Sequence, residues 1–148
     1  MAEPEMTKEE KIKFSEDGVC IDWFLQNLVD SVNKSPFEFG ITLNVNGQSI
    51  SGTLISGKRY FDLFATAFSS AWPGDDKEKM REVFSSKGDI YNNVESEDGP
   101  LLSQYLHLNN AKVVTPGGSM PNAKGVLWRG KINAVSGFSL GILQASKQ

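Results

Sequence analysis

The residues whose types could do chemistry are His107, Cys20, the run 52–58 (Gly52-Thr-Leu-Ile-Ser-Gly57-Lys58), the carboxylates Asp75, Asp76, Glu78 and Glu82, and Trp128-Arg129-Gly130-Lys131. One histidine and one cysteine cannot supply a catalytic triad or a zinc centre. His107 lies between Leu106 and Leu108 in a strand-like stretch, where a lone histidine is a partly buried, hydrogen-bonded residue rather than a general base. Cys20, beside Ile21 and Trp23 at a helix start, reads as a small core residue, with no basic neighbour to make it a reactive thiolate.

The run 52–58 superficially resembles a phosphate-binding loop. It has four residues between its glycines, but Lys58-Arg59 stands where Lys-Ser or Lys-Thr is required, and the segment is expected to continue a strand. Nucleotide binding is not favoured. Carboxylates at 75, 76, 78 and 82 alternate with Lys77, Lys79 and Arg81, which predicts a solvated, salt-bridged helix face instead of a divalent metal site. No cofactor or metal is called for. Trp128, Arg129 and Lys131 are the strongest signal, because an aromatic ring with basic neighbours can stack bases and hold phosphates. Strand alternation nevertheless puts Trp128 on the face opposite Arg129 and Lys131, so the three do not form one platform, and Trp128 belongs to the core.

Charge is unevenly distributed. Residues 1–99 carry 18 acidic and 10 basic side chains, while residues 100–148 carry five basic and no acidic ones, giving a net charge of −3. An acidic front and a basic back can attract copies of the chain or a polyanion. Lys112, Lys124, Arg129 and Lys131 are therefore the candidate interaction residues. With 148 residues, 39% hydrophobic and 22% charged, the chain is one ordinary folded domain with a sizeable core. The single cysteine excludes an internal disulfide and fits a reducing compartment. No signal-peptide core and no run of about eighteen apolar residues is present, which predicts a cytoplasmic protein with no membrane span.

The elements that must position these residues follow from periodicity. Residues 1–16, rich in charge and poor in large apolar groups, read as a disordered charged tail. Helical spacing of Ile21, Leu25, Leu28 and Val32 predicts a helix over 19–33, ended by Ser35-Pro36. Ile41, Leu43 and Val45 alternate with polar residues, Asn46-Gly47 supplies a type I′ turn, and Ile50, Gly52 and Leu54 resume the alternation. Gly52 permits a sharp bend. Helices are predicted over 59–72 and 75–84, followed by an acidic loop to residue 100. Strands return over 101–114, with a bulge or tight turn at Asn109-Asn110, then a loop over 115–124, and strands over 126–132 and 135–143. The class is α+β: an N-terminal helix with a small, strongly bent antiparallel sheet. One domain spans 17–144, with its helical and acidic insert at about 60–100, and 145–148 form a flexible tail.

Three ordered blocks resemble the GvpU family of bacterial gas-vesicle accessory proteins over roughly residues 20–143. They are the hairpin Ile41-Thr-Leu-Asn-Val-Asn-Gly47 to Ile50-Ser-Gly-Thr-Leu-Ile-Ser-Gly57 with Tyr60-Phe61-Asp62, the strand Leu106 to Val113, and Trp128-Arg-Gly-Lys-Ile132 with Gly137-Phe138. The same blocks are similar to Sm-like barrels, with Trp128-Arg129-Gly130 in place of the Ile-Arg-Gly-like strand. That resemblance implies a closed Sm-like β-barrel, with the helical insert between its second and third strands. Asn46, Gly47, Gly52, Trp128 and Gly130 are then the fold-critical positions.

The resemblance implies a non-enzymatic accessory protein that forms a homo-oligomer, binds the gas-vesicle shell protein, and aids vesicle assembly, stability or clustering. The alternative is an Sm/Hfq-like ring binding single-stranded RNA, which requires a continuous basic, aromatic-lined surface. A small hydrolase would require a convergent polar pocket that these residues do not foretell.

Overall fold

The structure is a computed structural model and describes residues 2–17, 19, 21–92, 95–96, 99–121 and 124–143. Cys20 and the expected tail at 145–148 lie outside the described residues. Within the segment expected to be a charged tail, Lys8–Glu16 form α1. Its start is a capping box: Glu10 N donates to Thr7 Oγ1 at 3.1 Å, and Thr7 N donates to Glu10 Oε2 at 2.7 Å. None of its residues is buried.

Helix α2 (Trp23–Lys34) begins where Asp22 Oδ1 accepts from the backbone N–H groups of Phe24 and Leu25, both at 3.0 Å. Leu25, Val29 and Val32 recur at helical spacing and are fully covered. They pack on one face of the sheet, against Ile41, Leu43, Ile50, Leu54, Leu106, Leu108 and Ile132. Each such aliphatic side chain contributes roughly 1.5–3 kcal/mol by leaving water.

Strands β1 (Phe39–Val45) and β2 (Gln48–Ile55) form the expected hairpin, with Leu43 opposite Ile50. Both turn residues have positive φ, 52° at Asn46 and 80° at Gly47, as a type I′ turn requires. After β2 come α3 (Gly57–Ser70), α4 (Lys77–Ser86) and a 3₁₀ turn over Lys87–Tyr91. The expected loop to residue 100 also holds a two-residue pair, β3 (Glu95–Ser96) with β4 (Gly99–Pro100). The chain returns to the main sheet as β5 (Tyr105–Thr115), β6 (Gly118–Met120), β7 (Val126–Lys131), a 3₁₀ turn over Ile132–Ala134, and β8 (Val135–Leu140).

All main-sheet pairings are antiparallel. The order is β8–β1–β2–β5, and the far edge of β5 is shared by β7 and, past a bulge, by β6. The bulge falls at Asn110, where φ is 54°. Registers against both neighbours slip there, between Thr53 and Ser51 on β2 and between Leu108 and Ala111 on β5. Two glycines make room for it. A Cβ on Gly52 would lie 3.0 Å from Asn109 O, and one on Gly125 would run into the Asn110 backbone.

The closed barrel expected from the Sm-like resemblance does not form: this six-stranded sheet is open. β7 pairs with β5 and β8 pairs with β1, at opposite edges, although only Ile132–Ala134 separate them in the chain. Three residues span at most about 10 Å, so the sheet curls until its edges approach at this corner. There Ile132 turns fully into the core and the 3₁₀ turn diverts the backbone, leaving no ladder between β7 and β8 among the described residues.

Candidate functional site

The sheet face opposite α2 carries the polar chemistry. Strand alternation puts His107 and Tyr105 of β5 on this face while Leu106 and Leu108 enter the core, and the β5–β7 register sets Arg129 directly opposite His107. Helix α3 covers them. Ser56 caps it by accepting from Arg59 N at 3.0 Å, which fixes the first turn so that Tyr60 and Phe61 descend onto His107. The 3₁₀ turn after α4 brings Tyr91 in from the side. Lys58 holds this turn in place: its Nζ lies 3.0 Å from Asp62 Oδ1, 3.1 Å from Asp89 Oδ1 and 3.0 Å from Ser85 O. The hydrogen bond to Asp62 is the main reason that the Lys58 ammonium is held above its ordinary value.

Arg129 organises the site. Its Nη1 donates to Tyr91 Oη at 2.8 Å and lies 2.6 Å from His107 Nε2, while the guanidinium sits 3.9 Å from the Tyr105 ring centroid. His107 is 1% exposed, and burial, followed by the adjacent Arg129 charge, pushes its value down to about 3. The ring is therefore neutral near pH 7 and accepts from Arg129, which assigns its proton to Nδ1. Burial raises the Tyr60 hydroxyl, against an opposing pull from Arg129. Among the described residues no carboxylate pairs with Arg129.

Arg129 also reaches a cleft of about 380 Å³. Tyr91 and Tyr105 form part of its wall, and the rim carries Ile90, Leu101 and Leu102, which are 69%, 56% and 52% exposed. A cation on the wall of a cleft rimmed by exposed aliphatics suits an acidic group carried on an apolar segment. A larger hollow of about 620 Å³ lies between α1 and Trp23, but α1 buries none of its own residues and holds no comparable polar convergence.

Of the four basic residues expected to interact, Arg129 and Lys131 share one face of β7. Lys112 is opposite Ser51 beyond the bulge, and Lys124 is exposed in the loop before β7. Trp128 packs against the core, opposite Arg129, and a Cβ on Gly130 would run into its ring.

The run 52–58 needs a correction. It does not continue as a strand, because β2 ends at Ile55 and α3 starts at Gly57, so it joins a strand to a helix as a phosphate loop would. Its groups are already engaged: Gly57 N donates to Asn33 Oδ1 at 2.8 Å, Ser56 caps Arg59, Lys58 holds Asp62 and Asp89, and Tyr91 covers Gly57. No group of His, Cys, Asp or Glu suited to a metal occurs among the described residues. In the acidic run, Glu78 pairs with Arg81, and Asp76 accepts from Trp72 Nε1 at 2.9 Å.

A second polar cluster was not foreseen. Gln26, Asp30 and Asn33 form a stripe beside the apolar face of α2, and all three engage Ser103. Gln26 Nε2 donates to Ser103 O at 2.8 Å, Ser103 N donates to Asp30 Oδ1 at 3.1 Å, and Asn33 Nδ2 donates to Ser103 Oγ at 2.9 Å. The helical spacing 26, 30, 33 was visible in the sequence, but its partner lies far along the chain. Ser103 also lines the Arg129 cleft, so this clamp positions one of its walls.

The family model described as Gas vesicle protein GvpU-like matches residues 22–143. The chain belongs to the GvpU-like family. No curated protein and no solved structure matches it significantly. Membership ties this GvpU-like chain to gas-vesicle-related accessory proteins. The matched region runs from the cap of α2 to just past β8, so it contains the curled sheet and the Arg129 site. No helix among the described residues is long and apolar enough to cross a membrane.

Proposed function

We propose that this GvpU-like chain is a non-enzymatic accessory protein which resides with gas vesicles in the cytoplasm, binds their shell protein and self-associates, aiding vesicle assembly, stability or clustering. The observation that carries the reading is the family match over residues 22–143. Exposed apolar side chains at Phe24, Leu140 and Ile142, and the cleft beside Arg129, support a role in protein contacts.

An RNA-binding ring is the less favoured reading. Arg129 is stacked on Tyr105 and bonded to Tyr91 and His107, and Trp128 faces the core, so neither offers a stacking platform for bases.

The test is flotation of purified protein with purified gas vesicles at low and at moderate salt, with a single-stranded RNA gel shift alongside. Co-flotation without an RNA shift supports the proposal. A shift without co-flotation would replace it with the RNA reading, and salt-indifferent association would count against the charge split as its driving force.

A further inference from the structure

The two outer edges of the sheet are guarded differently. β7 carries Arg129 and Lys131, and like charges of this kind discourage one edge from pairing with its copy. β8 carries nothing comparable: residues 132–146 contain no charged residue and no proline. Only β1 pairs with β8 among the described residues.

The backbone directions on β8 follow from one bond. Gly141 N donates to Gly40 O at 2.9 Å, so Gly141 points its backbone groups towards β1, and by alternation so does Ser139, which faces Thr42. The N–H and C=O groups of Phe138 and Leu140 therefore point outward. Their side chains share the core face, opposite Leu43 and Ile41. Phe138 stacks on Phe24 with ring centroids 5.8 Å apart, yet Phe24 is 51% exposed and Leu140 is 74% exposed at the margin of this face.

We propose that β8 is the docking edge for a second copy of this chain, with the two β8 strands antiparallel about a two-fold axis at Ser139. In that register Phe138 faces Leu140 of the second copy, and their outward backbone groups satisfy one another. Each exposed Leu140 is then covered by the other copy's Phe138 and Phe24. The match is self-complementary because both members of each pair point outward and lie on the same sheet face, and no charge opposes contact. The register slip near Ser136, whose Oγ donates to Asn44 O at 3.0 Å, confines the pairing to the Phe138–Leu140 end. This inference rests on the self-association in the proposed function and assigns its surface.

The experiment uses the full chain. Sedimentation over a range of concentrations should show a monomer–dimer equilibrium, and Leu140→Lys, at an exposed position, should weaken dimerisation at least about ten-fold while circular dichroism stays native. In a Cys20→Ser background, Ser139→Cys should form an intermolecular disulfide on mild oxidation, because facing non-bonded pairs place their Cα atoms about 4.5 Å apart. Ser136→Cys should not, being offset from its own copy by several residues. A wild-type monomer at all concentrations, no selective cross-link at 139, or a dimer indifferent to Leu140→Lys, as pairing through β7 would be, overturns the inference. Flotation of the wild type beside Leu140→Lys separates it from the vesicle reading: a wild-type dimer that never floats sinks only the latter.

Discussion

Arg129 on β7 faces His107 on β5 in register, with Nη1 2.6 Å from the Nε2 of a histidine that is 1% exposed. A cation is thus bonded to a neutral imidazole that water does not reach, while Arg129 itself stays exposed at the cleft. The contact requires His107 to stay unprotonated, because an imidazolium has no lone pair to accept with and would repel the guanidinium.

The sign of the resulting pH dependence is fixed. The ordinary histidine value is 6.5, and in the fold it is pushed down to about 3 by burial and then by Arg129. Between these limits the unfolded chain takes up a proton that the folded one refuses. The stability contribution is complete above pH 6.5 and is lost as the pH falls through the window, at up to about 1.4 kcal/mol per pH unit. Urea unfolding from pH 7 to pH 4 should therefore show a shallower decline for His107→Gln than for the wild type. Carboxylates contribute to both slopes, so the difference isolates the histidine, and equal slopes would refute the assignment.

Removing the guanidinium should leave Tyr91 Oη and His107 Nε2 without their partner. Arg129→Met preserves much of the apolar stem and should cost about 1–3 kcal/mol. Arg129→Lys should recover little of it, since an ammonium lacks the planar fork that both stacks on Tyr105 and donates in the ring plane. Thermal midpoints of the three proteins test this, and full rescue by lysine would show that charge alone matters.

Local patterns made much of the sheet legible. Asn46-Gly47 between two alternating runs dictates its own turn, and the disturbed phase at Asn109-Asn110 marked the bulge, because both signals depend on neighbours in sequence. The start of α3 was misread: the alternation up to Ile55 seemed to run on, whereas Ser56 is a cap and Gly57 the first helical residue. The capping box Thr7-x-x-Glu10 went unread, because the charged composition around it points to a disordered tail. The site itself was only half legible. Parity separated Trp128 from Arg129, but nothing local joins Arg129 to Tyr91 and His107, which lie 38 and 22 residues away. Closure of the barrel was carried over from the resemblance alone, and it depends on how far a three-residue turn carries β8 from β7, which periodicity does not encode.

Asn33 is the member of the α2 polar stripe that touches both the β2–α3 junction and the segment before β5. It accepts from Gly57 N at 2.8 Å and donates to Ser103 Oγ at 2.9 Å. Asn33→Ala should destabilise by about 1–3 kcal/mol, because a helix N-terminal N–H loses its acceptor. Hydrogen exchange should localise the loss to the first turn of α3. Loss spread evenly over the sheet would contradict the clamp.

The glycines give the sharpest contrast, because the same added methyl group meets different neighbours. At Gly125 a Cβ would collide with the Asn110 backbone, and a bulge held on both sides by a ladder cannot retreat from it. At Gly137, on the edge strand β8, the nearest atom is Asn44 Nδ2 at an ordinary 3.5 Å. Gly125→Ala should therefore cost about 1–3 kcal/mol through forced backbone shifts, with Gly137→Ala within about 0.5 kcal/mol of the wild type. Chemical unfolding of both variants decides the matter. Equal effects would mean that the β5 bulge is softer than its two glycine neighbours imply, and that the bend it gives the sheet is not fixed there.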